Sequence, residues 1–165
     1  MMMVFAGFET TTNLLGNGLL LLARHPDQAQ TLREQPHLIP AAIEEMLRIE
    51  APVQRLSRMA AADFELPDKR IRKGELMFLL TGAANHDFAP FPDPERFDIH
   101  RAPTGYLAFG DWIHTCPGAA LARLGAEIAF TALLARSTSI PLAQPPRRHD
   151  NLSVRALKEL SLTLT

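Results

Sequence analysis

One cysteine, Cys116, occurs in the 165 residues, and it stands directly before a stretch, 119–136, whose apolar spacing predicts an amphipathic helix. A sulfur ahead of a helix N-terminus faces unpaired backbone N–H groups and the positive end of the helix dipole. Both favour the thiolate, and so a bond to a metal. A single thiolate cannot build a structural zinc site, which wants four ligands, and no second cysteine or paired histidine stands nearby. Two readings of Cys116 therefore stay open on its residue type. It is an inert thiol packed as a small hydrophobe, or the one protein ligand of an iron whose other bonds a porphyrin supplies. A second candidate is Glu9 followed by Thr10, an acid beside an alcohol. Such a pair can connect to solvent protons and hold a polar group by a hydrogen bond, although the same residues also suit an ordinary helix start. Glu45 and Arg48 put opposite charges at i and i+3 on one helix face. His86, Asp87 and His100 lack the spacing of a metal site.

The residues around the cysteine read Phe109-Gly110-Asp111-Trp112-Ile113-His114-Thr115-Cys116-Pro117-Gly118. This window resembles the cysteine-ligand loop of the cytochrome P450 haem-thiolate monooxygenases, Phe-Gly-x-Gly-x-His-x-Cys-x-Gly. Phe109, Gly110, His114, Cys116 and Gly118 agree, while Trp112 stands where the family has its second glycine. Glycine there permits a tight turn with positive φ, whereas an indole adds bulk and a donor that must be housed. Pro117 lacks an N–H, but at a first helical position that hydrogen has no intrahelical partner anyway. Three further stretches fall where the family places its own motifs. Ala6-Gly7-Phe8-Glu9-Thr10-Thr11 resembles the central helix over the oxygen side of the haem. Glu45-Met46-Leu47-Arg48 resembles the Glu-x-x-Arg pair, with Arg96 of Pro94-Glu95-Arg96-Phe97 as its third member in a buried structural network. Ala83-Ala84-Asn85-His86-Asp87 resembles a structural turn, with His86 replacing an arginine.

The resemblance implies haem b held through Cys116 as metal ligand, with Phe109, Gly110 and Gly118 shaping its seat and Arg58 and His114 binding propionates. Glu9 and Thr10 are the implied catalytic residues. The activity would be insertion of one oxygen atom of dioxygen into a small or medium apolar substrate, with Ala6, Val53 and Leu56 lining its pocket. Electrons would come from NAD(P)H through a separate ferredoxin or flavoprotein, for which Arg123 and neighbouring cations form a docking patch.

The elements that must position these groups follow from the apolar pattern. Helices are expected over 1–23, closed by His25-Pro26, over 27–34, and over 40–49, where Ile43, Met46 and Leu47 mark one apolar face. Short β-prone runs between 53 and 80 predict a small meander, 87–106 a packed loop, and Leu157, Leu160, Leu162 and Leu164 a hairpin edge. The fold class is mainly α with minor β, and the resemblance makes it the C-terminal portion of the P450 fold, one partial domain over 1–165 running from the oxygen-side helix to the C-terminus. Hydrophobic residues make up 47%, enough for a sizeable core, and the net charge of −1 gives no broad attraction to nucleic acid. The polar residues Glu9, Asn13 and Asn17 interrupt the first apolar stretch, which argues against a membrane helix, and a lone cysteine is compatible with a reducing cytoplasm. Met1 followed at once by the oxygen-side helix implies that the family's earlier helices are missing. Helices without those partners are expected to expose apolar stripes. The alternative to a monooxygenase is then a non-catalytic remnant that binds haem poorly or serves only as an interaction module.

Overall fold

The computed structural model describes residues 2–165, with side chains from Ala6 onward; Met1, at which the expected first helix begins, lies outside the described residues. Helix α1 spans Met2–Arg24 and stops at His25, because Pro26 opens α2, Pro26–Glu34, where its missing N–H costs nothing. A 3₁₀ turn, Pro36–Leu38, leads into α3, Ile39–Ile49. Its buried Ile39, Ala42, Ile43, Met46 and Leu47 recur at i, i+3, i+4, i+7 and i+8, one face of a 3.6-residue helix. That face meets Leu14, Leu21 and Leu22 of α1 and Ala126, Phe130 and Leu134 of the long helix α5, Ala119–Arg136. The three helices approach closely at Gly18, where an added Cβ would stand 2.5 Å from the Phe130 ring and 2.8 Å from the Met46 sulfur. Only glycine leaves room there.

The β region is not the expected meander. Strands β1, Leu56–Met59, and β4, Leu76–Leu79, pair with each other, and β2, Phe64–Leu66, pairs with β3, Lys69–Ile71, giving two nested antiparallel ladders. The turn at Pro67-Asp68 closes the inner pair. The outer pair is extended by Ala60 N–H donating to Glu75 C=O and Gly74 N–H donating to Ala60 C=O, so β1 has no need of β2 as a neighbour. A short helix α4, Thr81–Ala84, follows, then irregular chain to a 3₁₀ turn, Trp112–His114. After α5, β5, Arg147–Arg148, pairs with β6, Leu157–Glu159, the anticipated hairpin, and the bridges Val53 to Val154 and Leu142 to Leu162 stitch this tail back. The chain is thus helix-rich with small sheets. No helix among the described residues is long and apolar enough to cross a membrane.

Candidate functional site

The cleft beside Cys116 is assembled mainly from three parts of the chain. Thr10, Thr11 and Leu14 of α1 form one wall, Val53 and Leu56 a second, and Leu107 to Gly110 with His114 and Cys116 the floor, enclosing about 260 Å³. Its surface is mostly apolar, with Thr10, Thr11, Thr81, His114 and the sulfur as polar groups. The floor is shaped by backbone geometry. Gly110 takes φ +72°, and an added Cβ would stand 2.7 Å from the His114 carbonyl oxygen, so this position demands glycine. Trp112 holds φ +50°, the left-handed region that the family's glycine suits, and its indole is housed by leaving it 83% exposed. Asp111 caps the turn by accepting from Trp112 N–H at 2.8 Å, and Thr115 closes it by donating both N–H and hydroxyl to Trp112 C=O.

The sulfur lies on the cleft just ahead of α5. Cys116 is exposed to the cleft, its N–H donates to Phe109 C=O at 2.8 Å, and a Cβ on Gly118 would lie 3.8 Å from Sγ. Gly118 is the cap residue of α5, so the thiol stands at a helix N-terminus. Pro117 precedes that cap by one residue, slightly outside the first helical position expected for it.

Arg58 and His114 line the same adjoining cleft, next to Gly110 and Asp111, which puts both propionate-binding candidates at one edge of the site. Arg58 is half-buried on β1 and donates to Ser57 C=O at 2.8 Å. Thr10 faces the cysteine cleft with its hydroxyl donating to Ala6 C=O at 2.6 Å, while Glu9 lines a separate recess on the other side of α1 with Asn13 and His149. The acid and the alcohol are therefore neighbours in sequence that open onto different clefts.

Behind the site, Glu45 and Arg48 are fully buried and paired twice, at 2.7 and 2.9 Å. The third arginine is Arg101 and not Arg96: Arg101 Nε lies 3.1 Å from Glu45, whereas the Arg96 side chain points to Asp98 at 3.7 Å and is largely exposed. Arg96 contributes its backbone carbonyl, which accepts from both Arg48 and Arg101. Asn85 explains the Ala-Ala-Asn-His-Asp turn. Its carbonyl accepts from Arg48 and its side-chain oxygen from Leu107 N–H at 2.7 Å, tying α4 to the approach of the cysteine loop. His86 Nδ1 lies 2.9 Å from Gly82 C=O, within its own turn.

Arg123, expected in a docking patch, is partly exposed and paired within the chain. Its guanidinium is held by Glu44 through two bonds, 2.6 and 3.0 Å, meets the Tyr106 hydroxyl at 3.0 Å, and lies 4.5 Å over the Phe109 ring. Tyr106 also donates to Glu44. Burial, then the bond to Glu44, push the Tyr106 hydroxyl well above its usual range; the bond to Glu44 raises Arg123 further. Glu44, Tyr106 and Arg101 carried no motif signal, and their partners lie 79, 62 and 56 residues away.

The donor set suits a haem. One thiol at a helix start faces an apolar slot, cationic and neutral donors sit at one edge, and a positive-φ glycine lets the backbone lie flat below. No group of three or more His, Cys, Asp or Glu residues among the described residues could hold a metal ion by itself. The profile of the Cytochrome P450 family matches residues 1–163, so the chain belongs to that family. It is similar to the biotin biosynthesis cytochrome P450 of Bacillus subtilis (strain 168), 46% identical over 98% of this chain and 41% of that protein. It is also 38% identical to a beta-dihydromenaquinone-9 omega-hydroxylase of Mycobacterium bovis, over 99% of this chain and 34% of the relative. A crystal structure of P450BioI, in complex with acyl carrier protein carrying hexadec-9Z-enoic acid, superposes with a TM-score of 0.96 at 45% identity, over 99% of this chain and 43% of that one. The chain thus spans about two fifths of the length of the relatives it matches.

Proposed function

We propose that this chain contributes the oxygen-side helix and the thiolate loop of a haem-dependent monooxygenase that inserts one atom of dioxygen into a small or medium apolar organic molecule. The observation that carries the reading is a single thiol at the start of α5, opening onto an apolar cleft whose facing wall bears Thr10. Haem b, when bound, would supply the iron that activates dioxygen; the rest falls to the protein. Cys116 would be the protein's one ligand to the metal, with Phe109, Gly110 and Gly118 as its seat. His114 and Arg58 would hold the propionates, the arginine by its planar fork and the imidazole by a neutral donor. Thr10 would hold a proton over the cleft, because a hydroxyl bonded to Ala6 C=O keeps lone pairs free and can rotate. Glu9, on the solvent side of the same helical turn, would exchange protons with water. Ala6, Val53 and Leu56 give the substrate an apolar wall, a reading supported by the fatty acyl chain in the P450BioI structure. Electrons would reach the site from NAD(P)H through a separate ferredoxin or flavoprotein in the cytoplasm.

The second reading, a non-catalytic remnant that serves as an interaction module, is favoured by the apolar residues Leu121, Leu124 and Ile128 exposed on α5. A reduced, carbon-monoxide absorption spectrum of the chain supplied with haem separates the two. A thiolate-type Soret band that disappears in Cys116→Ala supports the monooxygenase site, and failure to take up haem supports the remnant.

A further inference from the structure

Between α3, α5 and the cysteine loop lies a cluster that the haem-site reading leaves unused. Glu44 of α3 receives two hydrogen bonds from Arg123 of α5 and one from Tyr106, and Arg123 also meets the Tyr106 hydroxyl, so three charged or polar groups close a ring across three parts of the chain. The Arg123 Cζ lies over the Phe109 ring, 4.5 Å from its centroid, and Phe109 is the residue whose carbonyl takes the Cys116 N–H at 2.8 Å. A guanidinium held bidentately cannot drift, and a ring stacked on it cannot turn. We infer that Arg123, fixed by Glu44 and Tyr106, is a positioning residue for the thiolate: it locks Phe109 so that the Phe109 carbonyl holds Cys116 Sγ toward the cleft. This rests on the reading of Cys116 as the metal ligand.

The clamp is separate from an ionic cluster at the C-terminal end of α3. There Glu50, the residue that caps α3, binds Arg148 at 3.0 Å and Arg155 of the C-terminal tail, and Asn17 of α1 accepts from Arg148. Breaking that cluster loosens the fold without touching Phe109, which makes Arg148→Gln the control for a merely structural effect. The chain also has a direct reporter of the bond in question, the Cys116 amide, whose exchange with deuterium is slowed while Phe109 C=O accepts it.

The test measures Cys116 amide exchange in the haem-free chain and, after haem addition, the fraction of the carbon-monoxide complex with a thiolate-type band. In Arg123→Gln and Glu44→Gln, exchange should quicken about tenfold, and in the conservative Tyr106→Phe about threefold, in step with the contacts removed. The thiolate-type fraction should fall in the same order. Arg148→Gln should lower thermal stability and leave both readouts unchanged. An unchanged Cys116 exchange rate in both Arg123→Gln and Tyr106→Phe overturns the inference, as does an equal acceleration in Arg148→Gln. If the unaltered chain shows no thiolate-type band, the haem-site reading fails, and the exchange rates still decide the clamp.

Discussion

Two single residues carry properties that ordinary measurements can isolate. Tyr106 is the only tyrosine, so tyrosinate absorbance reads it alone. Burial and its bond to Glu44 raise its ionisation above the ordinary value of 10.0, so it binds its proton more tightly folded than unfolded. That contribution to stability is complete below about pH 10 and is lost as the pH rises above it, because the unfolded chain gives up the proton first. The phenol should therefore titrate well above 10 in the native chain and near 10 in denaturant, and Tyr106→Phe should flatten the alkaline fall in thermal stability. Trp112 is a bulky residue at φ +50° with an exposed indole. Trp112→Gly relieves the left-handed penalty of about 1–2 kcal/mol but adds about 0.5–1 kcal/mol of unfolded-state entropy. The net gain of up to about 1.5 kcal/mol should raise the melting temperature by up to roughly 3–6 °C in a calorimetric scan.

At the level of elements, the decisive contacts join α3 to distant loops. Glu45 has no exposed side-chain surface and is held by Arg48 and Arg101, so Glu45→Ala leaves buried cations uncompensated. It should cost about 3–5 kcal/mol. Arg101 also donates to the carbonyls of Pro92, Asp93 and Arg96, whereas the Arg96 side chain meets Asp98 from an exposed position. Arg101→Ala should accordingly cost about 1.5–3 kcal/mol and Arg96→Ala no more than about 0.5 kcal/mol, read from urea unfolding midpoints. Equal effects of the two would return the third place in the network to Arg96. The Glu-x-x-Arg pair was visible as a charge spacing on one helix face. Its third arginine was not, because loop 87–106 has no period from which to read which cation folds inward.

For the whole molecule, α5 carries two apolar stripes. Ala119, Ala126, Phe130 and Leu134 pack into the core, while Leu121, Leu124 and Ile128 recur at i, i+3 and i+7 on the outside, with Leu121 74% exposed. A helix apolar on two sides is normally covered on both. The expectation of exposed apolar stripes thus holds on this helix, and the one-sided amphipathic pattern expected of it does not. Sedimentation velocity of the isolated chain should show concentration-dependent association that Leu121→Lys combined with Ile128→Lys reduces. A sedimentation coefficient that ignores both concentration and these substitutions would count against it.

The helices, the apolar face of α3 and the cysteine loop could be read from the chain alone, because each depends on residues within a few turns of one another: 3.6-residue spacing for α3, Pro26 for the break after α1, and the Phe109 to Gly118 motif for the loop. Partnership across the fold was another matter. That β1 pairs with β4, that Arg123 closes on Glu44, that Arg101 replaces Arg96 and that Glu9 opens away from Thr10's cleft all depend on which surfaces meet after the helices pack. A charge's partner is set by distance in space, and local sequence carries no record of that distance until the core has formed.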